Sequence, residues 1–409
     1  MDRTIVGIDV GTTKVCTLIA ELDEADRLCV VGVGVAPSQG LSKGVIVNVD
    51  DASKSIAASI RRAERMCGYT VESAYVSLGG KQISSLNSRG VVAVGRGERY
   101  IVEEDVARAI EAAQAIAVTH NREIVHVIPR TFILDGQEGV RDPVGMMGFR
   151  LEVEVHLVTG ATASIQNLRQ CIRSVNIEIN ELVAQPLASS EAVLTPEEKE
   201  TGVVLMDSGG GTTDVAIFVE GGIWHTSVLP VGGANLTNDI AFGLRTPVAT
   251  AEELKLAHGH AMPECVGEDE TVDVNAFGDA ATQSVGRRHL AEIIEARAEE
   301  IYVLVTGEVK RAGYEGLLPA GLVLTGGTAE LKGFKDLGSE MLQVPVRVGR
   351  AWNLGGLAEA VAGPAYATSV GLLLWGARNS LDPRPQPSAG RWSKLYRRFG
   401  DMFGALLPH

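Results

Sequence analysis

The sequence predicts an α/β chain of two halves of like design, each a mixed sheet flanked by helices. A duplicated strand meander and an insertion of different texture lead to that reading. The first meander is "TIVGIDV", a turn at "GTT", "KVCTLIAEL", an acidic turn at "DEAD", then "RLCVVGVGV", alternating in strand fashion throughout. The plan returns in residues 202–233 as "GVVLMDS", "GGGTT", "DVAIFVE", "GG" and "IWHTSVLPVGG". Helical spacing of apolar residues in "DASKSIAASIRRAERMCG" and "SIQNLRQCIRSV" lays helices on the first sheet, each leading toward a short apolar strand, "SAYVSLGG" or "NELVAQPLA".

Taken in order, residues 1–81 with 161–190 and 365–378 form the first core. Residues 82–160, with strands in "GVVAVG", "EIVHVIPRTFIL" and "FRLEVEVHLVTG" and a helix near "EEDVARAIEAAQAIA", form an inserted α+β unit. Residues 191–235 with 310–364 form the second core, and 236–309 a helical subdomain ending in the long charged run "RRHLAEIIEARAEEIYVLVTGEVKRAG". A flexible linker is expected at 379–390, rich in Pro and Ser, and an amphipathic helix at 391–409.

At 409 residues the chain has ample core without disulfides or metal staples. Its five cysteines are scattered with no C-x-x-C pair, so they are read as packing residues in a reducing compartment. No basic segment followed by an apolar run opens the chain, and its apolar stretches fall short of the ~20 residues that span a bilayer. The reading is therefore cytosolic. A formal net charge of −14 argues against nucleic acid as a partner, since phosphate neutralisation needs clustered Lys and Arg over a broad face.

The turns carry the chemistry. In "GIDVGTTKV", Asp9 ends a buried strand and Gly11, Thr12, Thr13 and Lys14 follow. Glycine lets backbone approach an anion, N–H groups and hydroxyls donate to phosphate oxygens, and the lysine adds charge. In "MDSGGGTTDV" the set recurs as Asp207, Gly209, Gly210, Gly211, Thr212 and Thr213, with Asp214 in the place of Lys14. Two such turns facing each other clamp a polyphosphate, and the strand-end Asp9 and Asp207 suit Mg2+, which prefers carboxylates and water. Gly326 and Gly327 in "LTGGTAEL", and Gly232 and Gly233 in "VGGANLTND", offer further bare backbone. Neither a Walker loop nor a G-x-G-x-x-G loop is present. His126, His156 and His225 lie within strand patterns and receive no role.

These turns make the chain similar to the actin, sugar-kinase and heat-shock-chaperone superfamily. Within it the chain resembles the FtsA family of actin-like division proteins, including "LGGKQISSLNSRGVV", "HVIPRTFILDGQEGVRDPVG" and "LASSEAVLTPEEKE" in residues 78–200. The resemblance implies an actin-like two-domain fold holding ATP and Mg2+, with the insertion that sets this family apart from actin. It implies adenosine contacts at Gly326 and Gly327, an E-x-x-K pair, Glu252 and Lys255, against adenine and ribose, and a water-orienting Gln185. A neutral amide orients water but is a poor general base, so any hydrolysis is expected to be slow. The implied partners are FtsZ, contacted through the second insertion, further copies of the chain in filaments, and later division proteins. The competing reading is a small-molecule kinase of the same superfamily, for which the sequence offers no clear catalytic carboxylate facing a substrate pocket beyond the nucleotide loops and which has no use for the tail.

That tail, "RWSKLYRRFGDMFGALLPH", puts Trp392, Leu395, Tyr396, Phe399, Met402, Phe403 and Leu406 on one helical face, flanked by Arg391, Lys394, Arg397 and Arg398. The helix would be roughly 25 Å long. Its charges forbid spanning, so it is read as lying in the interface of an anionic membrane. Four basic residues contribute on the order of 4 kcal/mol. Gly400 and Gly404 cost about 1 kcal/mol each, so the helix folds on binding. The expected location is the cytoplasmic face of the bacterial cell membrane at the division septum.

Overall fold

A computed structural model describes residues 4–381 apart from 26, 95–99, 116–120, 276–281 and 353. The expected membrane helix and most of the expected linker lie outside the described residues. Strands β1 (Thr4–Val10), β2 (Lys14–Leu22) and β3 (Leu28–Pro37) form the first antiparallel meander. A short ribbon of β4 (Leu41–Ser42) and β5 (Val45–Ile46) leads into α1 (Val49–Cys67), and β6 (Ser73–Leu78) joins β1 in parallel. Helix α1 starts where the Asn48 side chain accepts from the backbone N–H groups of Asp50 and Asp51, and stops at Gly68 in the left-handed conformation, φ 74°. Its Ala52, Ile56, Ile60 and Ala63 recur at helical spacing and are buried. Each isoleucine contributes roughly 1.5–3 kcal/mol by leaving water.

The inserted unit holds β7 (Ile83–Ala93), α2 (Glu103–Ala115), β8 (Arg122–Leu134), β9 (Gln137–Val140) and β10 (Arg150–Ala161), in the sheet order β7-β10-β8-β9. It buries a core of its own, with Ile101, Phe132, Leu151, Val153, Val155 and Leu157 at the centre. The chain returns through α3 (Thr162–Ser174), β11 (Glu178–Ala184) and α4 (Gln185–Val193).

The second half opens with α5 (Pro196–Thr201), set by a capping box between Thr195 and Glu198, then the meander β12 (Val203–Ser208), β13 (Thr213–Val219) and β14 (Gly222–Leu229). Next come α6 (Gly233–Gly243), α7 (Val248–His258), the hairpin β15 (Thr271–Asn275) and β16 (Thr282–Gly286), and α8 (Arg287–Arg311). Then follow β17 (Leu322–Thr325), α9 (Phe334–Leu342), β18 (Val346–Val348), β19 (Gly355–Gly356), α10 (Ala358–Val361) and α11 (Ala367–Leu381). The two main sheets run β11-β6-β1-β2-β3-β19 and β14-β13-β12-β17-β18, so the same antiparallel meander, extended by parallel strands, occurs in both. Helices α4 and α11 pack on each other; α11 lies on β1 and α4 against β12 and β13, which joins the two sheets through one core.

Four sequence expectations need correction. The subdomain expected to be helical at 236–309 contains the β15–β16 hairpin, whose Val272 and Val274 alternate inward between exposed residues. Residues 355–356, assigned to the second core, pair with β3 of the first sheet. The expected linker start at 379 falls inside α11, where Asn379 Nδ2 donates to Glu181 Oε2 at 3.1 Å. Of the cysteines read as packing residues, Cys265 is exposed.

Candidate functional site

Both meanders make the same first turn. Gly11 N donates to Lys14 O at 3.0 Å, and Gly209 N donates to Thr212 O at 2.9 Å, so each turn sits at the inner end of a strand pair. The two turns meet face to face. A Cβ on Gly210 would overlap the Thr13 side chain, and one on Gly211 would lie 2.6 Å from Thr12 Oγ1. No residue with a side chain fits at either glycine while the turns stay this close.

The second turn gathers the other glycine loops around it. Gly209 O accepts from Gly233 N at 2.9 Å and from Thr328 Oγ1 at 3.2 Å, and Gly210 O accepts from Ala234 N at 2.7 Å. Gly232, ahead of α6, has no room for a Cβ against Gly209 O at 2.6 Å. Gly326 has φ 83° and lies against the backbone of Ser208, a conformation that favours glycine, while Gly327 is open apart from Ala365 at 4.0 Å. Lys255 Nζ donates to Gly233 O at 3.1 Å, Thr237 Oγ1 at 2.9 Å and Glu252 Oε2 at 2.7 Å. Glu252 and Lys255 thus reach the site through α6.

Behind the turns lie three buried carboxylates. Asp9 Oδ1 accepts from Ser77 Oγ at 2.8 Å and from Gln185 Nε2 at 3.4 Å, and Asp9 Oδ2 accepts from Ser369 Oγ at 3.2 Å. Asp207 Oδ2 accepts from Thr368 Oγ1 at 3.1 Å. Asp214, paired with Asp207 across β12 and β13, has a buried Oδ1 without a hydrogen-bond partner. Burial raises all three pKa values, taking Asp207 up to about 6, and the negative charges of Asp9 and Asp207 push Asp214 higher still. Lys14 opposes this at Asp9 and Asp207, and its Nζ lies 3.6 Å from the centre of the Tyr366 ring.

Sequence reasoning missed Ser77, Thr368, Ser369 and a role for Asp214. Thr368 and Ser369 are neighbours on α11 and reach one aspartate in each half, a placement that only the tertiary fold reveals. Gln185, which closes the strand pattern in the sequence, is the first residue of α4 and points back to Asp9. His126 and His156 are core residues, pulled down by burial to about 4 and about 3, with His126 Nε2 accepting from Ala184 N at 3.0 Å.

Among the described residues no group of three or more His, Cys, Asp or Glu side chains is arranged to hold a metal ion alone. The carboxylate set nevertheless fits a hydrated divalent cation. It gathers three buried carboxylates behind the glycine turns, near Lys14, and Asp214 Oδ1 is left bare.

Comparison with known proteins agrees with this architecture. A family model for cell division protein FtsA matches residues 204–371, and one for the SHS2 domain inserted in FtsA matches residues 80–159. The cell division protein FtsA of Pseudomonas aeruginosa is 44% identical over 93% of this chain and 91% of its own length. That of Bacillus subtilis is 41% identical over 92% and 84%. Among solved structures, a PilM-PilN type IV pilus biogenesis complex superposes with TM-score 0.66 at 14% identity, covering 91% of this chain and 98% of the other. MreB5 of Spiroplasma citri, solved bound to ADP, gives 0.54 at 13% identity, covering 93% and 99%. The fold is therefore actin-like, and the chain belongs to the FtsA family of cell division proteins.

Proposed function

We propose that the protein is an ATP-binding, polymerising adaptor that tethers the FtsZ ring to the cytoplasmic membrane at the septum and recruits later division proteins. The observation that carries this reading is the facing pair of glycine turns over buried carboxylates, in a chain of a division family. ATP phosphates bind between Gly11–Lys14 and Gly209–Thr213, adenosine lies on Gly326 and Gly327, and Glu252 with Lys255 supports adenine and ribose. Asp9 and Asp207 would hold Mg2+ partly through water. When bound, the ion neutralises phosphate charge. Gln185 orients water from the first turn of α4. An amide draws off no proton, so turnover is at most slow.

The ADP in the MreB5 structure supports nucleotide as the ligand of this fold. The small-molecule kinase reading is not favoured, because the relatives named above are division proteins. FtsZ is expected to dock on residues 236–309, and the tail at 391–409 to grip the membrane. Among the described residues no helix is long and apolar enough to cross a bilayer.

Titration with a fluorescent ATP analogue tests the site. Asp207→Ala and Gly327→Asp are each expected to weaken binding at least about tenfold, the second by filling bare backbone with a negative side chain. Unchanged affinity in both variants refutes the clamp. Pelleting of FtsZ polymers with liposomes, expected only when this protein and ATP are present, tests the tether.

A further inference from the structure

A cavity of about 540 Å3 opens where the inserted sheet meets the second half, lined by none of the glycine turns. Its walls include Arg89 on β7, Arg130 on β8, Glu154 on β10, Trp224 on β14, Arg311 at the end of α8, and Tyr314. The volume falls within the range of small-molecule sites, roughly 300–1,000 Å3.

Arg130 is its distinctive group. The side chain is 4% exposed and lies over Trp224, 3.3 Å from the ring centre, while Trp224 meets Tyr314 edge-on with 5.7 Å between centres. Nε and Nη2 form one edge of the guanidinium. Both are buried without a hydrogen-bond partner, and the facing Glu154 Oε2 is 3.9 Å from Nη2, beyond hydrogen-bond reach. Arginine keeps its charge in proteins, and a buried charged edge left unfilled is costly. The stack on Trp224 holds the plane fixed, so the buried edge is already oriented, and a ligand reaches it by displacing the Glu154 side chain, which is 33% exposed.

The neighbouring charges point the same way. Arg89 is engaged by Glu152 at 2.6 Å and Arg311 by Glu308 at 2.5 Å, which leaves Arg130 to bind. Burial lowers the pKa of His225, which favours the neutral ring, so His225 adds no charge of either sign to the lining. Arg130 faces only the carboxylate of Glu154, at 3.9 Å, with the charge of Glu220 also acting on it, so among the three lining arginines it is the one without a close ion-pair partner.

We propose that this cavity binds a small ligand bearing a carboxylate or phosphate. Two of its oxygens lie on the Nε–Nη2 edge of Arg130, and its apolar part rests on Trp224 and Tyr314. The inserted unit and the second half already touch beside it, through Asn87 Nδ2 to Trp224 O at 3.2 Å and Ser85 Oγ to Thr226 O at 2.7 Å. A bound anion adds a further bridge between them.

Isothermal titration of the full chain with citrate and, separately, inorganic phosphate at fixed ionic strength tests this. At least one anion is expected to bind saturably. Arg130→Lys is expected to weaken it at least about tenfold by removing the fork, and Glu154→Gln to strengthen it severalfold by removing the facing carboxylate. Binding of one anion and not the other identifies the class of oxyanion. No saturable binding, or binding that a folded Arg130→Lys protein retains in full, overturns the proposal; such retained phosphate binding belongs to the glycine turns. If circular dichroism shows that Arg130→Lys does not fold, Glu154→Gln decides, and unchanged affinity there overturns it.

Discussion

Asp207 is ionised at neutral pH at a cost to the fold. Burial pushes its carboxyl up to about 6 from an ordinary 3.8, against the bond from Thr368 and with a further push from Asp9. The folded chain therefore holds this proton more tightly than the unfolded one. The stability it confers is complete below pH 4 and is lost as pH rises through about 6. Asp207→Asn, locked in the neutral form, is expected to gain on the wild type across that window, reaching on the order of 3 kcal/mol at pH 7. Urea midpoints at pH 4, 5, 6 and 7 without nucleotide measure it, and a difference that does not change with pH counts against the assignment. Mg2+ with ATP should reverse the order, because it acts on the ionised form. A second residue-scale test concerns Gln185, whose amide lies where a Cβ on Gly79 would be. Gly79→Ala is expected to displace that flexible amide, lower ATP turnover severalfold in a phosphate-release assay, and leave the melting temperature nearly unchanged. The glycine turns were legible in the sequence because one pattern occurs twice. Ser77, Thr368 and Ser369 were not, because "TS" ahead of an apolar helix reads as ordinary helix-start chemistry until the fold sets it between two aspartates.

At the scale of elements, α4 and α11 link the site to the rest of the molecule. They cross where a Cβ on Gly371 would overlap the carbonyl of Ala188, so their backbones are in contact. Gln185 on α4 and Thr368 and Ser369 on α11 hold Asp9 and Asp207, and the same crossing that joins the sheets also sets the carboxylates. Gly371→Ala is expected to lower stability by about 1–3 kcal/mol through overpacking and to weaken nucleotide binding with it. Gly307 on α8 is the contrast: an added Cβ there meets nothing within 4 Å. Gly307→Ala should stabilise by about 0.5–1 kcal/mol through helix propensity and leave binding alone. Urea unfolding and nucleotide titration of both variants check the pair, and equal effects at the two glycines contradict this role for the crossing. Long periodic elements such as α1 and the meanders could be read from the sequence. The two-residue β19 could not, since its pairing with Val30 of β3 depends on distant chain returning to the first sheet.

For the whole molecule, the proposed attachment to an anionic surface has to be reconciled with a formal net charge of −14. Its acidic body is repelled, so attachment has to be delivered at a distance. Helix α11 ends at Leu381, and residues 382–390 reach roughly 28 Å if extended at about 3.1 Å per residue. That length exceeds the Debye length of about 8 Å at physiological salt, so the tail can touch lipid while the body's repulsion is screened. One such tail would be a modest grip on the proposed reading, because Gly400 and Gly404 disfavour a helix there. In the proposed polymer each further tail would bind at high effective concentration, and collective affinity would rise steeply with filament length. Co-sedimentation with anionic liposomes should show strong pelleting of the full chain in ATP and less without nucleotide. A chain truncated before residue 391 should stay in solution under both conditions, and equal pelleting of the truncated chain would remove the anchor. Pelleting of the full chain that ignores ATP would leave the anchor in place and remove its dependence on assembly. Raising salt from 0.1 to 0.5 M should weaken attachment only in part, since the aromatic and aliphatic face keeps its grip after the four cations are screened.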